Sequence, residues 1–324
     1  MPQTPLVTAM ACMTISAADP QALVRLIRDG MGWELCVQGD VDAELCRLWG
    51  VDGSDNHGPF HLLRSPGADR GMIRVVKGGD RFPKRPIGAR WTGVEIVVMH
   101  DIDALYERLE AMAEFKPAKA PDNADFTDVG ANIHRFFPGR ASGGTHLMFT
   151  MAVTPARDYA FPAADAQVGH IFSIPLASTD FKKSRHFYAD DLHMTSVLDD
   201  HLEGGIWHRT WDLEDGTPVD LSILKGNAPG FGLGGIELQG YDPDLVDAVA
   251  WAPDRLDGGA CLATFTVDDI DRTYQGLLNS SRCMLIGAPV PVASPPYDGG
   301  RAFAAIGPGG ERLEFCERFF SGTP

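Results

Sequence analysis

Apolar runs, each followed by an aspartate and an amphipathic stretch, recur along this chain. The clearest instance lies in Val168 to Met194. Gly169 to Pro175 is apolar and β-branched, with polar side chains only at His170 and Ser173, which predicts a buried strand. Ser178, Thr179 and Asp180 then offer helix N-caps. Phe181, Ser184 and Tyr188 follow at helical spacing, with Phe187 beside them and Leu192 one turn on.

The same succession occurs three more times. Near the N-terminus, Met10 to Ile15 predicts a strand. Asp19 caps a helix with Pro20 at its first position, striped by Leu23, Leu26 and Ile27. Val41 to Trp49 predicts a short added helix, and Phe60 to Arg64 with Met72 to Val76 a hairpin. The next copy runs from a strand at Val94 to Val98 through a cap at Asp101 and a stripe of Ile102, Leu105 and Leu109. It closes with a hairpin of Asn132 to Phe137 and Thr145 to Thr150 around Pro138-Gly139. The copy that begins at Val168 closes with Trp207 to Leu213, a turn at Asp215-Gly216, and Val219 to Ile223. The last copy starts at Cys261 to Val267, caps at Asp268 or Asp269, and ends with Arg301 to Ile306 and Arg312 to Cys316. The caps Asp19, Asp101, Asp180 and Asp269 are 82, 79 and 89 residues apart.

Gly169-His170, Asp180-Phe181, Ser184, Phe187-Tyr188 and Asp191-Leu192, with the tail Gly307 to Phe315, resemble a module of the vicinal oxygen chelate (VOC) superfamily. That superfamily includes glyoxalase I, bleomycin-resistance proteins, methylmalonyl-CoA epimerase and the extradiol dioxygenases. The resemblance covers nearly the whole chain and implies an α+β fold: four βαβββ modules forming two half-open VOC barrels. The expected division is an N-terminal barrel at 1–151 (modules 1 and 2), a Pro/Ala-rich linker at 152–167, and a C-terminal barrel at 168–324 (modules 3 and 4) carrying the active site.

Composition narrows the classes. Hydrophobic residues make up 44% and charged residues 22%, as in a globular protein. A net charge of −16 without a basic run argues against nucleic acid or anionic membranes as partners. No run approaches a membrane span, the N-terminus lacks a secretory pattern, and the six cysteines form no CxxC pair; a cytoplasmic protein with reduced thiols is expected. Gly230 to Gly235 satisfies GxGxxG, but no helix pattern follows, so it predicts a loop and not a dinucleotide site.

In the VOC superfamily, metal ligands stand on the first and last strands of a module. Counting back from the caps puts Cys12, Val94, Ser173 and Leu262 at the first-strand positions. Glu314 has the family's Leu-Glu-Phe setting on a last strand, and Asp220 matches it in module 3. His170 carries the Gly-His pair, yet it lies three residues too far from Phe187-Tyr188. The resemblance therefore implies at best His170, Asp220 and Glu314 as a metal set, for one divalent ion such as iron, manganese, zinc or nickel. With no second histidine, a metal-free protein is the expectation. His134 and His146 lack an accompanying carboxylate, so the N-terminal barrel reads as structural.

General acid–base work is assigned to His170, Glu314 and His208. Ser173, Trp207, Trp211 and Arg301 are candidates for binding substrate, although His208 and Arg301 fit equally well as alternating polar residues of an edge strand. The resemblance implies a small oxygenated organic substrate, including aromatic ones, and lyase or isomerase chemistry. An extradiol-type dioxygenase with an atypical iron site and a non-catalytic binding or resistance protein are the alternatives. A homodimer is compatible with either barrel arrangement.

Overall fold

A computed structural model describes residues 4–52, 57–79, 87, 91–125, 127, 133–153, 164–205, 208, 211, 213–227, 235–246, 254–256 and 258–320. Four modules succeed one another. Module 1 comprises β1 (Ala9–Ala17), α1 (Pro20–Arg25), β2 (Glu34–Val41), α2 (Ala43–Trp49), β3 (Gly58–Arg64) and β4 (Met72–Lys77). Module 2 comprises β5 (Val94–Val98), α3 (Ile102–Glu110), β6 (Phe115–Pro117), β7 (Asp122–Asp125), β8 (Ile133–Ala141) and β9 (His146–Ala152). Module 3 comprises β10 (Val168–Ser178), α4 (Phe181–His186), β11 (Thr195–Leu202), β12 (Val219–Lys225) and β13 (Gly235–Gly240). Module 4 comprises β14 (Gly259–Thr266), α5 (Ile270–Leu278), β15 (Met284–Leu285), β16 (Val290–Pro291), β17 (Arg301–Ile306) and β18 (Arg312–Cys316).

The repeated aspartates do what their spacing predicts. Asp19, Asp101, Asp180 and Asp269 accept hydrogen bonds from the backbone N–H groups of Ala22, Ala104, Lys183 and Arg272, at 3.1, 3.1, 3.1 and 2.9 Å. Each bond satisfies one of the donors that a helix start leaves open, and such caps contribute about 1 kcal/mol. In modules 1 and 3 the helix continues into one π-helical turn, Leu26–Gly30 and Phe187–Asp191, before the chain turns into the second strand.

The strands form two mixed sheets of nine strands each, both half-open. Their composition corrects the expected pairing. β1 pairs antiparallel with β14, so modules 1 and 4 share the first sheet; β10 pairs antiparallel with β5, so modules 2 and 3 share the second. Modules 1 and 2 meet through their helices instead. Gly30, at the end of the module 1 helix, lies so close to the module 2 helix region that a Cβ there would sit 2.6 Å from Leu109 and 2.7 Å from Met112. The motif pattern specifies each module but not its partner, because all four first strands present equivalent apolar edges.

One hydrophobic core joins both sheets. It takes Leu23 and Ile27 from module 1, Ile102 and Leu105 from module 2, Phe187 and Tyr188 from module 3, and Ile270 and Leu277 from module 4. The other sheet faces are concave. Strand alternation places Met13 and Ile15 in the shared core and turns Cys12 and Thr14 to the concave side.

Module 3 brings a second correction. Among the described residues of the expected strand Trp207 to Leu213, none belongs to a strand; the second strand is β11. The last strand is β13, which begins where the GxGxxG stretch ends, and in it Ile236 and Leu238 face the core and alternate with Glu237 and Gln239. Residues 230–234 of the GxGxxG stretch lie outside the described residues.

Because each sheet draws strands from both halves of the chain, residues 1–153 and 164–324 expressed separately are expected not to fold, and to regain native circular dichroism when mixed. Two halves that each unfold cooperatively alone would contradict this pairing.

Candidate active site

The two concave faces carry different charges. On the first, Thr14 lies beside Arg74, and Thr264 beside Glu314, in parallel strand pairs. All four side chains have no solvent exposure. Arg74 Nη2 lies 3.1 Å from Glu314 Oε2, Nη1 donates to Tyr297 Oη at 2.7 Å, and Nε donates to Thr14 Oγ1 at 2.9 Å. The guanidinium carbon stands 4.5 Å from the ring of Trp49, within cation–π range. Burial works against its charge, but Tyr297 and Glu314 outweigh that penalty and hold Arg74 firmly protonated.

Glu314 accepts three further hydrogen bonds: from Trp49 Nε1, Tyr297 Oη and Thr264 Oγ1, each at 2.7 Å. A carboxylate offers about four acceptor sites, and here all are taken. α2, which carries Trp49, is pinned across the face by Arg312 donating to the Trp49 carbonyl. A metal does not fit this face. The carboxylate that would bind it is saturated, and a guanidinium already supplies the positive charge.

The second face carries two acids at its centre. Glu95 lies directly across from Ser173 in the antiparallel β5–β10 pair, and beside Met148 of β9. Thr150 Oγ1 donates to Glu95 at 2.6 Å. Glu237 lies beside Pro175, and Gln239 Nε2 donates to it at 2.8 Å. Tyr241 in turn donates to Gln239 Oε1 at 2.8 Å. Burial pushes Glu237 up from an ordinary 4.5 to about 7. Burial also raises Glu95, and the nearby Glu237 charge raises it further. Neither meets a cation among the described residues. Ser173 is 1% exposed, and among the described residues its Oγ has no hydrogen-bond partner. Trp211, Tyr241, Met148 and Ala177 form an apolar cluster beside the acids.

These positions redistribute the predicted residues. His170 and Glu314 belong to different sheets and form no common site. His170 is 7% exposed beside the module 1 loop at Gly71; burial lowers its pKa to about 4, so it is neutral near pH 7. Asp220 is at the surface, 2.8 Å from His201 Nδ1, because β12 is the penultimate strand of its module and not the last. The set His170, Asp220, Glu314 is therefore not assembled. Among the described residues, no group of three or more His, Cys, Asp or Glu converges as a metal cluster.

His208 is fully buried, with Nε2 donating to the Thr217 carbonyl at 2.6 Å, a loop-fastening contact. Arg301 is tied to Asp271 and Glu317, at 2.9 and 2.7 Å. Trp207 lies outside the described residues, whereas Ser173 and Trp211 do reach the second concave face. Arg74, Glu95 and Glu237 went unnoticed in the sequence. Their common signal is one charged residue inside an apolar strand: Ile73-Arg74-Val75, Val94-Glu95-Ile96 and Ile236-Glu237-Leu238.

Two nine-stranded half-open sheets built from four such modules, with polar groups at the centres of their concave faces, define the vicinal oxygen chelate fold. Among solved structures, the chain is similar to glyoxalase I from Zea mays, with a TM-score of 0.63 and 12% identity over 95% of this chain and 92% of that one. It is also similar to a candidate dioxygenase from Bacillus subtilis subsp. subtilis str. 168, with a TM-score of 0.61 and 13% identity over 97% of this chain and 86% of that one. No family model and no curated protein matches the sequence. No helix among the described residues is long and apolar enough to cross a membrane.

Breaking a buried ion pair on one side strands the other charge, at a cost of about 3–5 kcal/mol, whereas replacing both members by apolar residues is often close to neutral. Arg74→Met and Glu314→Leu singly are therefore expected to lower chemical-denaturation stability by that amount, and the double variant by much less. Additive losses in the double-mutant cycle would show that the two charges act independently.

Proposed function

We propose that the second concave face is the reaction site of an acid–base enzyme acting on a small oxygenated organic molecule, in lyase or isomerase chemistry. The observation that carries this reading is the pair of half-buried Glu95 and buried Glu237, which meet no cation among the described residues, whereas the fully buried Glu314 is paired with Arg74. Burial and the neighbouring Glu237 charge favour the protonated form of Glu95, while Glu237 at about 7 is poised to accept or release a proton. Ser173 Oγ, unpartnered and opposite Glu95, is placed to hydrogen-bond a substrate oxygen. The Trp211 cluster supplies an apolar wall.

This face also fits a hard divalent cation: two unneutralised carboxylates and a free hydroxyl are oxygen donors. Glu95, Glu237 and Ser173 would hold it, and a bound ion would polarise a substrate carbonyl. The donors are carboxylates and a hydroxyl, unlike the two-histidine, one-carboxylate set of an extradiol-type iron site, so dioxygenase chemistry is the weaker reading. His170 and Glu314 are left with structural roles.

In a screen of 2-oxo and 2-hydroxy compounds for proton exchange or isomerisation, followed by NMR in deuterated water, Glu237→Gln is expected to lower kcat at least about 100-fold. The wild-type rate should follow an ionisation near 7. Full activity in Glu237→Gln would remove this residue from the chemistry.

The same group gives a signed pH effect on stability. A carboxyl whose folded pKa is raised stabilises the fold below its unfolded value of 4.5, and that contribution is lost as pH rises through about 7. Glu237→Gln should therefore gain stability relative to wild type between pH 4.5 and 8. A constant difference across that range would mean that Glu237 titrates normally.

A further inference from the structure

Arg140, on β8, is partly buried. Arg135, Arg185, Arg282 and Arg301 each meet a carboxylate within 2.9 Å. Among the described residues, the Arg140 guanidinium has one partner, His146 Nε2, at 3.1 Å. Arginine cannot accept a hydrogen bond, so His146 must accept at Nε2 and carry its proton on Nδ1. Burial, and secondarily Arg140, lower the His146 pKa to about 4, so the ring is neutral near pH 7. It steadies the guanidinium without cancelling its charge. In a chain with 44 acidic and 28 basic residues, a half-buried arginine left without an acid is conspicuous.

The strand register places this pair on the second concave face. Arg140 lies across from His146, and Pro138 across from Met148, in the β8–β9 pair; Met148 in turn lies beside Glu95. Alternate residues of a strand share a face and stand about 7 Å apart, so His146 is one such step from the rung of Glu95. The His146 ring meets Trp211 edge-on, with centroids 6.3 Å apart, which ties the pair to the apolar wall of the same face. A cation thus stands at one end of a face whose centre holds two proton-transfer groups. The separation suits a short molecule with an acid group at one end.

We propose that Arg140, positioned by His146, binds a carboxylate of the substrate, which makes the substrate a small oxygenated organic acid; this rests on the reading of Glu95 and Glu237 as the reacting groups. A planar carboxylate accepts two parallel hydrogen bonds from a guanidinium, which fixes orientation as well as position. The oxygenated carbon next to the carboxylate then lies toward Glu95 and Glu237.

The test is isothermal titration at pH 7 of the full chain with pyruvate and benzoylformate, each against its primary amide. Wild type should bind the acids at least tenfold more tightly than the amides, Arg140→Lys should keep part of that preference, and Arg140→Met should bind acid and amide alike. Equal binding of acid and amide by wild type, or a preference that survives Arg140→Met, would overturn the proposal, as would failure of both acids to bind. Glu237→Gln separates the two readings. An intact preference for acids with no turnover in any variant supports the anchor and removes the acid–base assignment. Turnover that depends on Glu237 but ignores Arg140 does the reverse.

Discussion

Every feature of this molecule depends on one apolar layer shared by two sheets. A βαβββ module buries the stripe of its helix on one sheet face, and a single module has too little apolar surface to stand alone. Here all four stripes meet in one core, so each concave face is held by strands from both ends of the chain. Module 1 pairs with module 4 and module 2 with module 3, and modules 1 and 2 meet through their helices. Gly30 records that contact, because a Cβ there would press on the side chains of Leu109 and Met112, which would have to shift.

With the scaffold supplied by that layer, the two concave faces are free to differ. Equivalent last-strand positions carry Arg74 and Glu314 on the first face, and Met148 and Glu237 on the second. A buried carboxylate is costly unless it is paired and hydrogen-bonded. The first face meets that cost with a guanidinium, a tyrosine, a threonine and an indole, and α2 covers it. The second face leaves its acids unpaired, which shifts their protonation toward neutral pH. On the proposed reading, the closed face serves stability and the chemically unsatisfied face serves function.

Much of this was legible in the sequence, and the limits have physical causes. The caps at Asp19, Asp101, Asp180 and Asp269 form as their spacing requires, since capping is local. First strands and their helices were readable for the same reason. Module pairing was not, because it depends on long-range contacts between similar strand edges. β13 was hidden by the Gly- and Pro-rich residues before it, although Ile236-Glu237-Leu238-Gln239 alternates as a half-buried strand should. Reading Val219 to Ile223 as the last strand moved the expected acid to Asp220 and away from Glu237. Glu314 was singled out as an acid–base residue or metal ligand on a last strand; its partner Arg74 lies 240 residues away and cannot be paired with it from sequence alone.

The claim that the second face is held in an unsatisfied state is most directly tested by carbon-detected NMR titration of the full chain with carboxyl-labelled glutamate, with Glu237→Gln used to assign the signal. The account predicts that the Glu237 carboxyl titrates near pH 7. A Glu237 resonance that titrates with the ordinary glutamates near 4.5 would contradict it.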